Sequence, residues 1–420
     1  VSRSATDVGT SPEPASRREP ESAYAWNRLS AALLLSAIGG IGMWSVIVAL
    51  PAVQAEFGVG RSAASLSYTL TMVGFGLGGI LMGRLSDRFG IVVPVVGGAL
   101  GLGLGYVVAS RATSLGEFVL VQGLLVGVAS SATFAPLLAD TSLWFTRRRG
   151  IAVAVIASGS YVAGTAWPPT VQHFIATQGW RRTYLGIGLF CVATMVPLAL
   201  LALRRRPPLT GPAATAPEVG RRVSRPLGMS PAMLQALLVV AGLSCCVAMS
   251  MPQVHIVAYC NDLGHGAAPG ARMLSLMLGF GVVSRLASGW VCDRIGGRRT
   301  LLLGSGLQAL ALALFLPFDG LASLYVVSAL FGLSQGGIVP AYAVIVRECF
   351  PPQEAGVRVG TVLMATVFGM ALGGWMSGVI FDLTGSYQAA FVNGILWNLL
   401  NLAIAVSLLR RPGRPVPQPA

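Results

Sequence analysis

GRLSDRFG at residues 83–90 returns as GWVCDRIG at residues 289–296, 206 positions later. Both octets read G-x-x-x-D-R-x-G, and each closes an apolar run of a length that crosses a bilayer. A hydrocarbon core about 30 Å thick needs ~20 apolar residues of helix. Recurrence at equivalent places is not a chance event, so the chain is read as two copies of one plan. Weaker echoes agree: Pro136 and Pro340 interrupt the fourth and tenth runs, and Gly150 and Gly356 precede the fifth and eleventh.

Working outward from the octets, twelve apolar runs are predicted. They cover residues 28–52, 62–83, 91–110, 115–141, 150–174 and 182–203, then 231–259, 270–292, 300–317, 321–346, 357–381 and 388–409. A stretch rich in Pro, Gly and Arg divides them at residues 204–229, as a linker does. The expected plan is an all-α membrane protein of twelve transmembrane helices in two six-helix pseudo-repeats, residues 26–203 and 230–410. Residues 1–25 read as a disordered polar tail, and residues 411–420 as a second tail. The first apolar run exceeds the core of a secretory signal, and eleven more follow it. Two parallel repeats of six helices are the architecture of one large transporter class.

Composition excludes other classes. Of 420 residues 54% are hydrophobic and 10% charged, against about 25% charged in a soluble domain. The mean hydropathy is +0.72. The net charge is +14 and every basic residue is arginine. With the N-terminus inside, 23 arginines fall in inner segments and five outside, which places both termini in the cytoplasm. Arginines in short segments between apolar runs face anionic lipid, so nucleic acid is not the expected partner. The six cysteines lack metal-ligand spacing and read as small buried hydrophobes. No Walker motif, metal cluster or nucleophile–base pair occurs, so no cofactor, no metal and no enzymatic activity are expected. Glycine-rich stretches at residues 74–79, 97–105 and 369–378 open no strand–helix unit. They suit close helix approach instead.

One charge stands apart. Arg285 lies inside residues 273–291, and every other residue of that run is uncharged. A mid-membrane guanidinium costs at least ~2.5–3.5 kcal/mol on insertion scales, and it cannot shed its proton. Two readings follow: a helix–helix ion pair, or the anion anchor of a transport path.

The paired octets, the six-plus-six plan, the linker and the Trp144-Phe145 exit from the fourth run, followed by Arg147, Arg148, Arg149 and Gly150, resemble the major facilitator superfamily. Within it, Trp26 before the first helix, Arg285 in the eighth and the glycine-rich tenth helix around Gln335 resemble the monocarboxylate-porter branch and its bacterial relatives. That resemblance implies an arginine that binds a carboxylate. Two positions depart from it: Gly281 stands where the animal transporters carry an aspartate, and Trp44 where they carry a lysine. The resemblance further implies that Gly83, Asp87, Arg88 and Gly90, with Gly289, Asp293, Arg294 and Gly296, latch the halves on the cytoplasmic side.

The planar donor fork of Arg285 matches a carboxylate two-to-one, and lactate, pyruvate or other short organic acids fit it. Gln335 and Tyr342, seven apart, share a helix face and join Tyr161 and Trp44 as candidates for the cavity wall; packing is the alternative for each. An imidazole can change charge near neutral pH, so His255 either couples a proton or hydrogen-bonds a neighbouring helix. Asp140 is expected to pair with Arg147, Arg148 and Arg149. The leading expectation is a secondary transporter of a small organic anion, a monocarboxylate, across the inner membrane by alternating access, with a proton as the coupled partner and a monomer as the default state. Proton-driven efflux of amphipathic drugs would need a mid-membrane carboxylate, absent from the first, second, fifth, seventh, eighth and eleventh runs. A non-transporting sensor would need a signalling domain beyond tails of about 25 and 10 residues.

Overall fold

The computed structural model describes residues 21–145, 148–204 and 226–411. Most of the expected tails and of the expected linker lie outside those residues; the end of the first expected tail does not, since the first helix already begins at Ala23. Among the described residues the chain is all-α, as expected, and its long helices number twelve. The first half comprises α1 (Ala23–Phe57), α2 (Arg61–Phe89), α3 (Val92–Ala109), α4 (Leu115–Trp144), α5 (Gly150–Gln178) and α6 (Trp180–Ala202). The second comprises α7 (Pro231–Asp262), α8 (Ala267–Ile295), α9 (Gly297–Leu314), α10 (Leu321–Cys349), α11 (Pro352–Thr384) and α12 (Tyr387–Arg410). Eleven of them are long and apolar enough to span a membrane by composition; α9 opens on Arg298 and Arg299, which lowers its mean hydropathy. Helices satisfy their own backbone hydrogen bonds, the condition for crossing hydrocarbon.

The octets end α2 and α8 in the same way. Gly90 and Gly296 have φ of +82° and +80°, a left-handed region that only glycine enters freely, so both helices stop there. Each octet thus turns the chain sharply into the next helix.

The proline echoes have a physical basis in the breaks of α4 and α10. Pro136 and Pro340 lack the N–H that would bond to the carbonyls of Ala132 and Gly336, four residues earlier. Both helices unwind at those points, between Ser131 and Ala135 and between Gln335 and Ile338. Glycines then allow close approach. A Cβ on Gly74 of α2 would lie 1.9 Å from the carbonyl oxygen of Gly123 in α4, and one on Gly332 of α10 would lie 2.2 Å from that of Met277 in α8.

The halves meet through α2 on α11, α5 on α8 and α1 on α7. Advancing each number by six exchanges the first two pairs, as two copies of one unit related by a pseudo-two-fold require.

Asp140 departs from expectation. Its carboxylate accepts from Nη2 and Nε of Arg28 at 2.8 and 3.1 Å, a partner in α1; of the three arginines expected, Arg147 and the side chain of Arg149 lie outside the described residues. Arg28 also donates to the Ala202 carbonyl and lies over the Trp144 ring, tying α1, α4 and α6 together. The physical reason is burial: Arg28 is 3% exposed and needs a fixed anion inside the bundle. Asp140→Asn should lower the unfolding free energy by about 3–5 kcal/mol, the cost of stranding a buried charge. Asp87→Asn, at an exposed helix end, should change it by less than about 0.5 kcal/mol. Denaturant titration of the detergent-solubilised protein separates the two.

Candidate functional site

A cavity of about 150 Å³ lies between the halves. Its wall holds four rings, Trp44, Tyr68, Phe75 and Tyr161, and four methionines, Met43, Met72, Met249 and Met370. Ser160, Gln253 and Thr366 are the polar side chains of the lining, and no charged residue belongs to it. Trp44 and Tyr161, read from the sequence as cavity candidates, are therefore brought together.

A break in α5 builds one side of the site. The helix is interrupted at Ser158, where the amides of Tyr161 and Val162 both bond to the Ser158 carbonyl. This leaves the Ala157 carbonyl without its helical partner. Arg285 of α8 takes it, donating from Nη1 at 2.7 Å. Its guanidinium lies 4.5 Å from the centre of the Tyr161 ring, a cation–π distance. Arg285 is half-buried, its Nε has no partner, and among the described residues no carboxylate lies within ion-pair distance.

The departure at Gly281 now has a structural counterpart. A Cβ there would come within 2.5 Å of the Tyr161 ring, so the ring occupies the space an aspartate side chain would need. Tyr161 is held between Gly281 and Arg285 on one face of α8.

α10 is fastened to α8 beside them. Ser284 Oγ donates to the Leu333 carbonyl at 2.6 Å and accepts from the Gly336 amide at 3.1 Å, and a Cβ on Gly336 would meet the Arg285 backbone. Gln335 is thereby placed against the cavity wall, where its Oε1 accepts from the Gln253 amide. Gln335 is fully buried and its Nε2 has no partner. It stands behind Gln253 and is not itself part of the lining.

Two sequence candidates lie elsewhere. Tyr342 is absent from the lining and donates to Asn401 at 2.7 Å inside the second half. The helix does not run continuously from Gln335 to Tyr342, because it unwinds at Gly336 and Gly337, so the shared face is lost. His255 is also off the cavity. Its Nε2 faces the Gly374 carbonyl at 2.8 Å and its Nδ1 the Tyr387 hydroxyl at 3.2 Å.

Tyr387 leads to an arrangement that the sequence reading missed. Arg61, at the start of α2, donates to Tyr387 at 2.5 Å and to both carboxylate oxygens of Asp262 at 2.6 and 2.8 Å. Asp382 accepts from the amides of Arg61 and Ser62, both at 2.8 Å, and so caps α2 from the other half. Gly374 and Gly378 of α11 let α2 approach, since a Cβ on either would lie 3.0 Å from Tyr68 or the Arg61 backbone. This end of the cavity is closed. The only signal available beforehand was Arg61 among the few arginines on the sparse side.

The opposite end is different. Among the described residues no hydrogen bond or ion pair joins the halves nearer to Asp87 than the one from Arg285 to Ala157. Cβ atoms on Gly79, Gly83, Gly289, Gly356 and Gly360 would meet nothing within 4 Å. Arg88 and Arg294 stack on their own neighbours Phe89 and Trp290, and neither Asp87 nor Asp293 has an ion-pair partner among the described residues. Among the described residues, the two octets therefore make no ion pair to each other or across the halves.

A two-fold bundle of twelve membrane helices, shut at one end of an interfacial cavity and parted at the other, is the form of a carrier. The chain matches the family model of the Major Facilitator Superfamily over residues 32–327 and 273–420, and it belongs to that family. It is 30% identical to Monocarboxylate transporter 13 of Bos taurus over 332 residues, 77% of this chain and 75% of that protein. It is 27% identical to the MFS transporter asaE of Aspergillus flavus over 313 residues, 74% and 69% of the two chains. In structure it is similar to a bacterial homologue of the human lysosomal transporter Spinster, with a TM-score of 0.70 at 14% identity, covering 92% of this chain and 97% of that one.

The closed end yields a prediction. Arg61→Ala removes hydrogen bonds to a charged group, each contributing about 1.5–3 kcal/mol, and should favour opening there by roughly ten- to a hundred-fold. A Met370→Cys probe in a cysteine-free chain reports it. In sealed vesicles an impermeant thiol reagent should label the parent from the Asp87 side and the Arg61→Ala variant from both sides.

Proposed function

We propose that this transporter moves an organic carboxylate across the cytoplasmic membrane by alternating access, with Arg285 as the anion anchor. The observation that supports it is a permanent positive charge at the seam between the halves, facing a carbonyl and a ring where a carboxylate partner would neutralise it. Its free Nε and the free Nε2 of Gln335 are two donors without acceptors beside the cavity. Buried donors left unpaired cost ~1–3 kcal/mol each, and an arriving carboxylate would satisfy them. The name of the bovine relative, a monocarboxylate transporter, agrees with this substrate class.

Arg285 is also a bond between the halves, to Ala157. A carboxylate that takes over its donors releases the carbonyl, so binding and loosening of the seam are one event. The octets then re-engage at the Asp87 end while the Arg61 contacts part. Both termini and the Asp87 end face the cytoplasm on the arginine count, which makes this conformation open to the inside. His255 would carry a coupled proton through Tyr387 and the Arg61 contacts, not through the cavity; otherwise the substrate's own acid group carries it. A cationic drug finds no carboxylate in the lining.

The test is uptake of labelled monocarboxylates into proteoliposomes. Arg285→Ala should lower uptake by about ten- to a hundred-fold, the loss of one or two charge-assisted hydrogen bonds. Arg285→Lys should recover only part of it, since an ammonium keeps the charge and loses the fork. Full uptake by Arg285→Ala would end the anion-anchor reading.

A further inference from the structure

We infer that the substrate is a carboxylate with an apolar body the size of a single ring, and that short hydroxy or oxo acids such as lactate and pyruvate are poor ligands. The inference rests on the anion-anchor reading for the charged end and on the cavity for the remainder. A cavity of about 150 Å³ with an apolar lining holds one benzene-sized body. A three-carbon acid would leave much of that space empty and lose the contacts that a filled pocket provides.

The lining is sorted by chemistry. Donors cluster on one side: Gln253 touches Gln335, and Tyr161 touches Arg285. Two polar groups near the remaining wall are already used within the protein, while the Tyr68 and Ser160 hydroxyls lie at its edge. Thr366 donates to the Leu363 carbonyl of its own helix at 2.7 Å, and the Trp44 indole donates to the Ser160 carbonyl at 3.0 Å. A hydroxyl or keto group on a substrate body seated against the four methionines and Phe75 would lose its water without compensation. Methionine adapts its shape and contacts rings well through sulfur, so four of them suit a flat apolar body of variable substitution.

Trp44 and Gly281 are part of the same device. The indole closes the cavity where the resembled branch carries a lysine, and a Cβ on Gly164 would lie 2.9 Å from it, so α5 has glycine at that point. Both departures replace a charge by an apolar surface, and they leave Arg285 to serve the anion alone.

The experiment is a binding series on the purified full-length chain, read by tryptophan fluorescence and thermal shift. Acetate, propionate, butyrate, benzoate, lactate and pyruvate are compared, each with its primary amide. Affinity should rise about fourfold per buried methylene, with benzoate tightest, lactate and pyruvate weakest, and every amide at least ten-fold weaker than its acid. Phe75→Ala should weaken benzoate several-fold and leave acetate unchanged. Lactate or pyruvate binding more tightly than benzoate would overturn the apolar-body inference while leaving the anion anchor standing. Amides that bind as tightly as their acids would overturn the anchor itself, and the inference with it.

Discussion

A guanidinium cannot give up its proton in response to burial, and the seam between the halves is arranged around that fact. Arg285 is supplied with a carbonyl by a broken turn in α5 and with a ring face by Tyr161. Neither contact neutralises it. Arg28, by contrast, is buried in a fixed ion pair with Asp140. The two arginines show the two ways of burying this side chain: one is structural and paired, the other keeps donors in reserve.

The same economy of contact governs how the halves touch. Glycines on α11 and α10 bring backbones close enough for van der Waals packing to hold helices together without a hydrophobic driving force in lipid. Across the halves, close packing of α2 on α11 is joined by polar contacts that can be made and broken. Arg61, Asp262, Asp382 and Tyr387 form a compact group at one end, and a single hydrogen bond from Arg285 closes the series on the way to the other. Charge-assisted bonds of this kind are strong when made and can be exchanged for water when broken. His255 adjoins that group through Tyr387, so its protonation state bears on the closed end and not on the cavity.

Much of this was legible before any coordinates. Periodicity of the apolar runs, the duplicated octets and the arginine bias carry the twelve-helix plan, because length and polarity alone decide what crosses a bilayer. Trp44, Tyr161 and Arg285 could be singled out, since a bulky ring or a charge among small apolar residues stands out in one dimension, and the structure gathers them at or beside one cavity. Tyr342 was misplaced because helical spacing presumes an unbroken helix, and the glycine pair before it unwinds α10. Asp140 was assigned to arginines near in sequence, whereas its partner lies 112 residues away.

The amino-acid sequence by itself determined the class: a two-fold helical carrier with one arginine inside its eighth helix. Hydropathy and charge are sums over neighbouring residues, so they survive without knowledge of contacts. Only the tertiary structure decided which residues meet across the halves, that Arg61 closes one end, and that the cavity is apolar and ring-sized. Those features depend on which face each helix turns inward and where it breaks, and such choices are made by packing between segments far apart in the chain.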